Sequence, residues 1–461
     1  MNAVPPNDVA SPPPSLKGLL TLAWPIVISR ASQTVVGVCD ALMVAHLGDA
    51  ALAATTTGAM NAFALLILPM GVAFIVSSFA AQLFGKNDRA GARRYGYYGL
   101  ALAVATQGLC LAASLVTGPI LRALPYTPEV RDLIGGYVRI RLWSGGAAIG
   151  IEALANYYGG IGNTRLPMRA NVAAMVLNVV GCFLLIDGRF GAPAMGVRGS
   201  ALAGSLATTV AFVGLLARFL LDGRKAPAIV QRLSLREFGR MLRFGLPSGF
   251  NWFFEFMGFL FFLNVVVGGL GTTELAAMMT VFQINSVAFM PSFGLASAGA
   301  ILVGQAIGAG GKDAVPRIVR LTFLTSATWQ GLVGISYVAI PGVLLAAFAR
   351  AGDAGAPLRD AGTPLLMLSA AWLLFDSGAT TLAEALRAAG DTAFTLWARL
   401  VIAWLIFVPG SYFSVRVWGW SERGAVLWLV LYLGLLAVTL LARFRGGAWR
   451  RIDLTNTPPL A

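Results

Sequence analysis

Among the ionisable side chains inside long apolar runs of this 461-residue sequence, six are candidates for chemistry: Arg30, Asp40, Glu152, Glu255, Asp376 and Glu384. Such groups are costly in an apolar medium and as a rule have a task. Glu255 poses the problem most sharply. The stretch "NWFFEFMGFLFF", residues 251–262, surrounds it with Trp252, Phe253, Phe254 and Phe256, and no basic residue in sequence is nearer than Arg243. A carboxylate so placed is either kept protonated or bound by something in a cavity. Glu255 and Asp376 each fall near the middle of a run. Two carboxylates sharing a low-dielectric cavity repel, so protons are bound and released there near neutral pH. Asp40 is ten residues from Arg30, about 15 Å of helix rise, too far to pair directly. It reads either as a second proton or ion site or as a solvated residue near a helix end. Arg30 either pairs with an acid across a cleft or lies along a lumen wall. Glu152 and Glu384 lie near the ends of their runs and are expected to face loops or water. Pro25, in "LAWPIVIS", removes a backbone hydrogen bond and predicts a kink, either static or a candidate hinge.

The elements that must position these groups are membrane helices. Hydrophobic residues make up 57% of the chain and charged residues only 12%, with a mean hydropathy of +0.75, which excludes a soluble globular protein of this size. Twelve runs are each long enough to cross a bilayer, which takes roughly 20 residues. Their spans are 19–45, 51–81, 95–118, 134–158, 168–186, 198–220, 242–268, 275–306, 318–348, 362–386, 393–414 and 424–443. Their continuity argues against a β-barrel. The net charge of +14 does not point to nucleic acid, because the basic residues fall in alternate connections. "GKNDRAGARR" follows the second run, "DGRKAPAIVQRLSLREFGR" the sixth, "GGKDAVPR" the eighth and "ARFRGGAWRR" the last, whereas "HLGDA", "ALPYTPEV" and "GGLGTTE" carry few. That bias places both termini in the cytoplasm. His46, at the outer end of the first run, is expected to be interfacial. Cys39, Cys110 and Cys182 lack paired spacing and are expected to pack. No P-loop, HExxH or GxSxG motif appears, so ATP-driven pumping and familiar hydrolytic chemistry lack support, and no enzyme is expected.

The chain is duplicated. "LAWPIVISRAS" matches "RFGLPSGFNWF" at Pro25 and Pro247, and "LGDAALAA" matches "LGTTELAA" at Gly48 and Gly271. "AAQLFGKNDRAGARR" matches "LVGQAIGAGGKDAVPR" at Gln82/Gln305 and Gly85/Gly308, and "GGIGNT" at 159–164 lines up with "RAAGDT" at 387–392. Six runs separate the copies, so both have the same orientation, a transporter arrangement with its site between the halves. The predicted organisation is a disordered lead (1–15), a first lobe (16–221), a basic cytoplasmic linker (222–240), a second lobe (241–445) and a C-terminal tail (446–461). The acids break the repeat: Glu255 maps onto Gln33, Asp40 near Phe262 or Leu263, and Asp376 near Ala148. An acid placed in one copy alone suits a site better than a scaffold.

"LAWPIVISRASQTVVGVCDALMVAHLG", "FGLPSGFNWFFEF", "FDSGATTLAEALRAAGD" and the paired "AQLFG" and "GQAIG" boxes together resemble the multidrug and toxic compound extrusion family, in its bacterial NorM-like branch, over residues 16 to 445. The resemblance implies an all-α, twelve-helix antiporter of two six-helix lobes in the bacterial inner membrane, exporting lipophilic, often cationic compounds in exchange for Na⁺ or H⁺, with no other cofactor. It carries cation-coupling and substrate-linked roles onto Asp40, Glu255 and Asp376, and makes Glu255 and Asp376 the candidate Na⁺ ligands. In relatives that coordinate Na⁺ a tyrosine can stand where this chain has Trp372. An indole offers no oxygen to Na⁺, which tilts the expectation toward protons. Arg30, Gln33, Asn178, Trp252, Phe253, Gln283 and Trp372 are candidate cleft-lining residues. Cys182 stands where a first-lobe ion site would have a second acid. Glu255 is expected to face the cleft between the lobes, where the coupling cation and the substrate compete for its charge. The partners expected are small molecules and membrane lipids, with the protein a monomer. The alternative is a flippase for lipid-linked oligosaccharides of the same superfamily, disfavoured because such a cavity calls for several arginines and often fourteen helices, against a lone Arg30 here.

Overall fold

The computed structural model describes residues 15–224, 233–346 and 356–455. Twelve helical crossings account for nearly all of them: α1 (Leu16–Ala45), α2 (Asp49–Gly85), α3 (Arg89–Arg122), α4 (Pro128–Leu142 continuing as Gly145–Gly160), α5 (Arg165–Leu185), α6 (Val197–Arg224), α7 (Leu235–Val267), α8 (Thr272–Gly308), α9 (Val315–Ala339), α10 (Ala356–Ala389), α11 (Thr392–Val417) and α12 (Glu422–Arg445). Ten are long and apolar enough to span a bilayer by themselves. The others are α4, broken at Trp143 and Ser144, and α9, whose apolar run is diluted by Thr322, Thr325, Ser326 and Gln330. Local chemistry sets several starts. Ser15 caps α1 through its hydroxyl and Asp88 caps α3 through its carboxylate, accepting from Gly91 N at 2.7 Å, which satisfies backbone donors that a helix start leaves open. The α4 break coincides with the weak helix formers of "WSGG". Both α7 and α11 end in π-helical turns, at Phe262–Val267 and Phe413–Val417, and α11 has another at Ile402–Phe407.

The repeat reads directly from the backbone. Gly48 and Gly271 hold φ of +108° and +147° at the starts of α2 and α8, and Gly162 and Gly390 hold +85° and +92° in the turns after α4 and α10. These are left-handed conformations that glycine adopts without steric cost. Helices α1–α6 form one lobe and α7–α12 the other. Where the lobes meet, α1 packs on α8 and α2 on α7, contacts that exchange under the repeat.

At the end that the charge bias assigns to the cytoplasm, the lobes close on each other. A Cβ on Gly308 would lie 1.9 Å from the Gln82 carbonyl oxygen, and one on Gly85 would lie 2.2 Å from that of Gln305, so the two helices can approach this closely only as glycines. Gln82 Nε2 donates to Ala388 O at 2.7 Å, and Gln305 Nε2 donates to Gly160 O at 2.9 Å. Gly160 and Ala388 are themselves repeat partners, so the closure is a two-fold clasp.

The connection between the lobes is shorter than the predicted 222–240: α6 runs to Arg224 and α7 starts at Leu235, with residues 225–232 outside the described residues. The predicted N-terminal lead also lies outside them, except Ser15. The tail packs. Trp449 stacks on Phe444 with ring centroids 5.5 Å apart, and Leu454 is buried in a core cluster otherwise built mainly from the first lobe.

Candidate functional site

Three groups of charged side chains occupy the interior. The first lies between the lobes. Arg30 on α1 forms a forked pair with Glu152 on α4, at 2.5 and 3.2 Å, and donates to Gln33 at 3.2 Å. Its guanidinium sits over the rings of Phe74 and Phe293, 5.5 and 5.7 Å from their centroids. Facing it from the second lobe, Glu384 and Arg387 on α10 form an ion pair, and Arg387 also donates to Phe74 O at 2.6 Å. A cavity of about 60 Å³ separates the two pairs. Glu152 and Glu384 are therefore not residues facing loops or water, as their place in the sequence suggested. Both are buried, at 5% and 6% exposure, and each satisfies an arginine. Beside them, a cavity of about 280 Å³ between α1, α2, α7 and α8 is lined by Arg30, Gln33, Phe63, Trp252, Phe289 and Phe293. Rings around a basic edge suit flat lipophilic molecules.

The second group lies inside the second lobe and answers the question posed by Glu255. Its carboxylate is bound by Arg399 of α11, 144 positions away and invisible to a search for neighbours in sequence. Trp252, one turn earlier on α7, lines the cavity between the lobes, whereas Glu255, its side chain 36% exposed, is paired with α11 and does not line the cavities described. Asp376 on α10 and Tyr432 on α12 lie within electrostatic reach of Arg399 and Glu255. Asp376 accepts hydrogen bonds from Gln330 at 3.3 Å and Thr380 at 3.4 Å, both neutral donors. Trp372 belongs to the core of this lobe, stacked on Phe282 at 5.9 Å, and does not line the cavities described. Phe253 packs edge-on against Phe254, and Gln283 is exposed on α8. Neither lines the cavities described.

The third group lies in the first lobe. Asp40 is buried and accepts from the Cys182 thiol at 3.2 Å. Cys182 is thus a ligand of the acid, beyond the packing role expected of it, and Asn178 adjoins it. Arg141 of α4 faces Asn178 across a cavity of about 380 Å³ that Ser32, Gln33 and Glu152 also line, close enough to act on the Asp40 charge without a direct ion-pair contact. Pro25 leaves α1 continuous from Leu16 to Ala45. His46, at the end of α1, bonds Asp187, just past α5, at 2.8 Å.

Arg141 and Arg399 escaped the sequence reading, although "YVRIRLW" and "LWARLVI" place both inside predicted spans. The signal was the one already used for the acids, an ionisable residue in an apolar run. They also remove one ground against a flippase, since Arg30 is not alone. Each interior arginine nevertheless faces an acid.

Comparison with known proteins accords with this architecture. The MatE family model matches the chain twice, at residues 25–184 and 247–413, once per lobe, each match beginning at its repeat proline. A probable multidrug resistance protein NorM of Pseudomonas putida is 30% identical over 95% of this chain and 96% of its own length. Another of that description, from Mesorhizobium japonicum, is 29% identical over 97% and 96%. Among solved structures, an outward-facing multidrug resistance MATE family transporter of the MOP superfamily superposes with a TM-score of 0.85 at 20% identity, over 95% of this chain and 97% of that one. A MATE crystallised in complex with MaL6 gives 0.86 at 21%, with the same coverage. With the family model covering both lobes and relatives matching nearly end to end, the chain belongs to the MatE family of multidrug and toxic compound extrusion transporters, in its bacterial NorM-like branch.

Proposed function

We propose that the chain is a secondary antiporter of the bacterial inner membrane, both termini cytoplasmic, that exports lipophilic, mostly cationic compounds by alternating access in exchange for protons. The carrying observation is a charge imbalance. Among the described residues, with the self-neutralising Asp391–Arg443 pair set aside, four arginines of the three groups, Arg30, Arg141, Arg387 and Arg399, stand against five acids, Asp40, Glu152, Glu255, Asp376 and Glu384. Asp376 and Asp40 both accept only from neutral donors, but the Arg141 charge acts on Asp40 while Arg399 is taken by Glu255, so a proton or a cation completes Asp376. The flippase reading fits less well, because its anionic headgroup would enter an interior already one negative charge in excess.

Between the two coupling ions, the environment of Glu255 favours the proton. A Na⁺ shared by Glu255 and Asp376 would lie beside, or displace, the Arg399 guanidinium, whereas a proton on Asp376 leaves the Glu255 pair intact. Loading Asp376 removes the charge that holds a cationic substrate nearby. Exchange follows if the loaded and unloaded forms differ in their preference for the two conformations, since a ligand shifts such an equilibrium only through differential binding. The test is ethidium efflux from cells and vesicles under an imposed pH gradient and then an Na⁺ gradient, with wild type, Glu255→Gln and Asp376→Asn. The expected result is efflux driven by the pH gradient and lost in Asp376→Asn. Efflux driven by Na⁺ alone would sink proton coupling, and no efflux under either gradient would sink the antiporter.

A further inference from the structure

Four arginines converge at the end of the first lobe where α3 ends and α4 and α6 begin, the end expected to lie outside the cell. Arg122 is the last residue of α3, Arg131 and Arg139 stand on α4, and Arg198 is the second residue of α6. They line a single cavity of about 640 Å³ in which Asp132 is the one acid. Among the described residues none of the four forms an ion pair. Arg131 donates one bond, to Tyr126 O at 3.0 Å, and its Nε is buried without a partner. Such a concentration runs against the charge bias of the rest of the molecule, and unrelieved repulsion among guanidiniums makes it costly unless an anion sits among them.

Two of the exposed arginines lie close against neighbouring helix backbone. A Cβ on Gly136 would lie 2.8 Å from Arg198 Nε, and one on Gly118 would lie 3.1 Å from Arg139 Nη2, so two glycines leave room for two arginines to lie on the helix backbone. Arg139 stands about 16 Å of helix rise inside α4, yet its head group reaches back to Gly118, one turn from the end of α3. That is the posture of a side chain whose stem crosses apolar depth to place its charge at an interface. Below the cluster, Leu115 on α3 is 81% exposed and Trp143 on α4 is 70% exposed. A basic rim over an exposed apolar wall matches an amphiphile with an anionic head, and a free anion would make no use of the wall.

We propose that this cavity binds the phosphodiester headgroup of an anionic phospholipid of the outer leaflet, whose acyl chains lie over Leu115 and Trp143. The site is separate from the interior acids and does not depend on which ion or substrate is carried.

Native mass spectrometry of the purified full chain, titrated with phosphatidylglycerol or with phosphatidylcholine, tests it. Phosphatidylglycerol is expected to fill one tight site that phosphatidylcholine does not. Replacing Arg122, Arg139 and Arg198 together by Gln is expected to weaken that site on the order of a hundredfold. Arg189→Gln, at the same end but paired with Asp187 at 2.9 Å, should leave it unchanged. Leu115→Glu keeps all four arginines, places a charge in the acyl-chain path at an exposed position, and is expected to weaken binding as well, which guards against a triple variant that fails to fold. Equal binding of the two lipids, or wild-type affinity in both the triple variant and Leu115→Glu, overturns the proposal. Displacement of phosphatidylglycerol by millimolar inorganic phosphate would make the ligand a free anion and overturn it too.

Discussion

Substituting Gly308 by alanine should open the end of the molecule that Gln82 and Gln305 clasp shut. The added Cβ would stand 1.9 Å from the Gln82 carbonyl oxygen, where ordinary contact begins at 3.4 Å, and the obstruction is backbone, with no rotamer to relieve it. The helices α2 and α8 must therefore part by about 1.5 Å. That movement also stretches the bonds from Gln82 to Ala388 and from Gln305 to Gly160, now 2.7 and 2.9 Å. Overpacking costs about 1–3 kcal/mol and each weakened hydrogen bond about 1 kcal/mol. A central figure of about 3 kcal/mol falls on the closed form alone, because a form with the lobes apart there has no such contact. A protein closed about 99% of the time would fall to about 40%. The assay is the distance between spin labels on cysteines introduced at Lys86 and Ala309, just beyond the ends of α2 and α8, with Cys39 replaced by Ser. Wild type should give one short distance, and Gly308→Ala a second, longer one of comparable weight. If Gly308→Ala gives the wild-type distribution and wild-type transport, the glycine approach is not what closes this end.

Breaking one partner of the Arg30 and Glu152 pair should cost more than removing both. Glu152→Ala leaves Arg30 facing a cavity in which its side chain is 18% exposed, an expected loss of about 2–3 kcal/mol after allowing for that access to water. Arg30→Gln with Glu152→Gln should recover most of it; thermal melting in detergent decides, and a Glu152→Ala protein as stable as wild type refutes the pairing. In the connection between α5 and α6, hydrogen bonding from His46, with the Arg189 charge adding to it, holds the Asp187 carboxyl below its ordinary range. A lowered folded value means the contact stabilises above the unfolded value and is lost as the pH falls through the folded one. Amide exchange in the 187–196 connection should therefore stay slow down to about pH 4 and quicken below it, whereas Asp187→Asn should exchange fast throughout; a pH-independent wild type would refute the contact.

The legible part of this fold was whatever rests on local chemistry. Crossing lengths follow from bilayer thickness, and the duplication surfaced because glycines with left-handed φ at Gly48, Gly162, Gly271 and Gly390 tolerate little substitution in either copy. What the sequence hid was pairing across long separations. Glu255 looked unpaired because Arg399 is remote in the chain, although the Trp-Ala-Arg-Leu run that carries Arg399 was inside a predicted helix. Glu152 and Glu384 looked terminal because their helices were drawn to end at 158 and 386. They run to Gly160 and Ala389, and the closed lobes cover the last turns. Phe253 and Trp372 were read from residue type alone, which does not say which face of a helix meets a cleft.

The same duplication explains why the interior is both symmetric and chemically lopsided. In the repeat register, Arg30 is the counterpart of Trp252 and Asn156 of Glu384, while Gly159 is that of Arg387 and Phe74 that of Ser297. Both members of the first pair line the cavity that Gln33 and Phe289 share, and both members of the other three line the central one, so these cavities lie on or beside the two-fold axis that relates the lobes. On such an axis an unaltered repeat would place like charges face to face at every ionisable position, a repulsion that a low-dielectric interior makes severe. Divergence of one copy at each pair is what allows Arg30 with Glu152 and Arg387 with Glu384 to coexist across about 60 Å³. The clasp bears no charge and could stay symmetric, and it did, at Gln82 and Gln305. The uncharged clasp is thus free to keep two-fold symmetry, and the charged interior groups are driven from it by electrostatics.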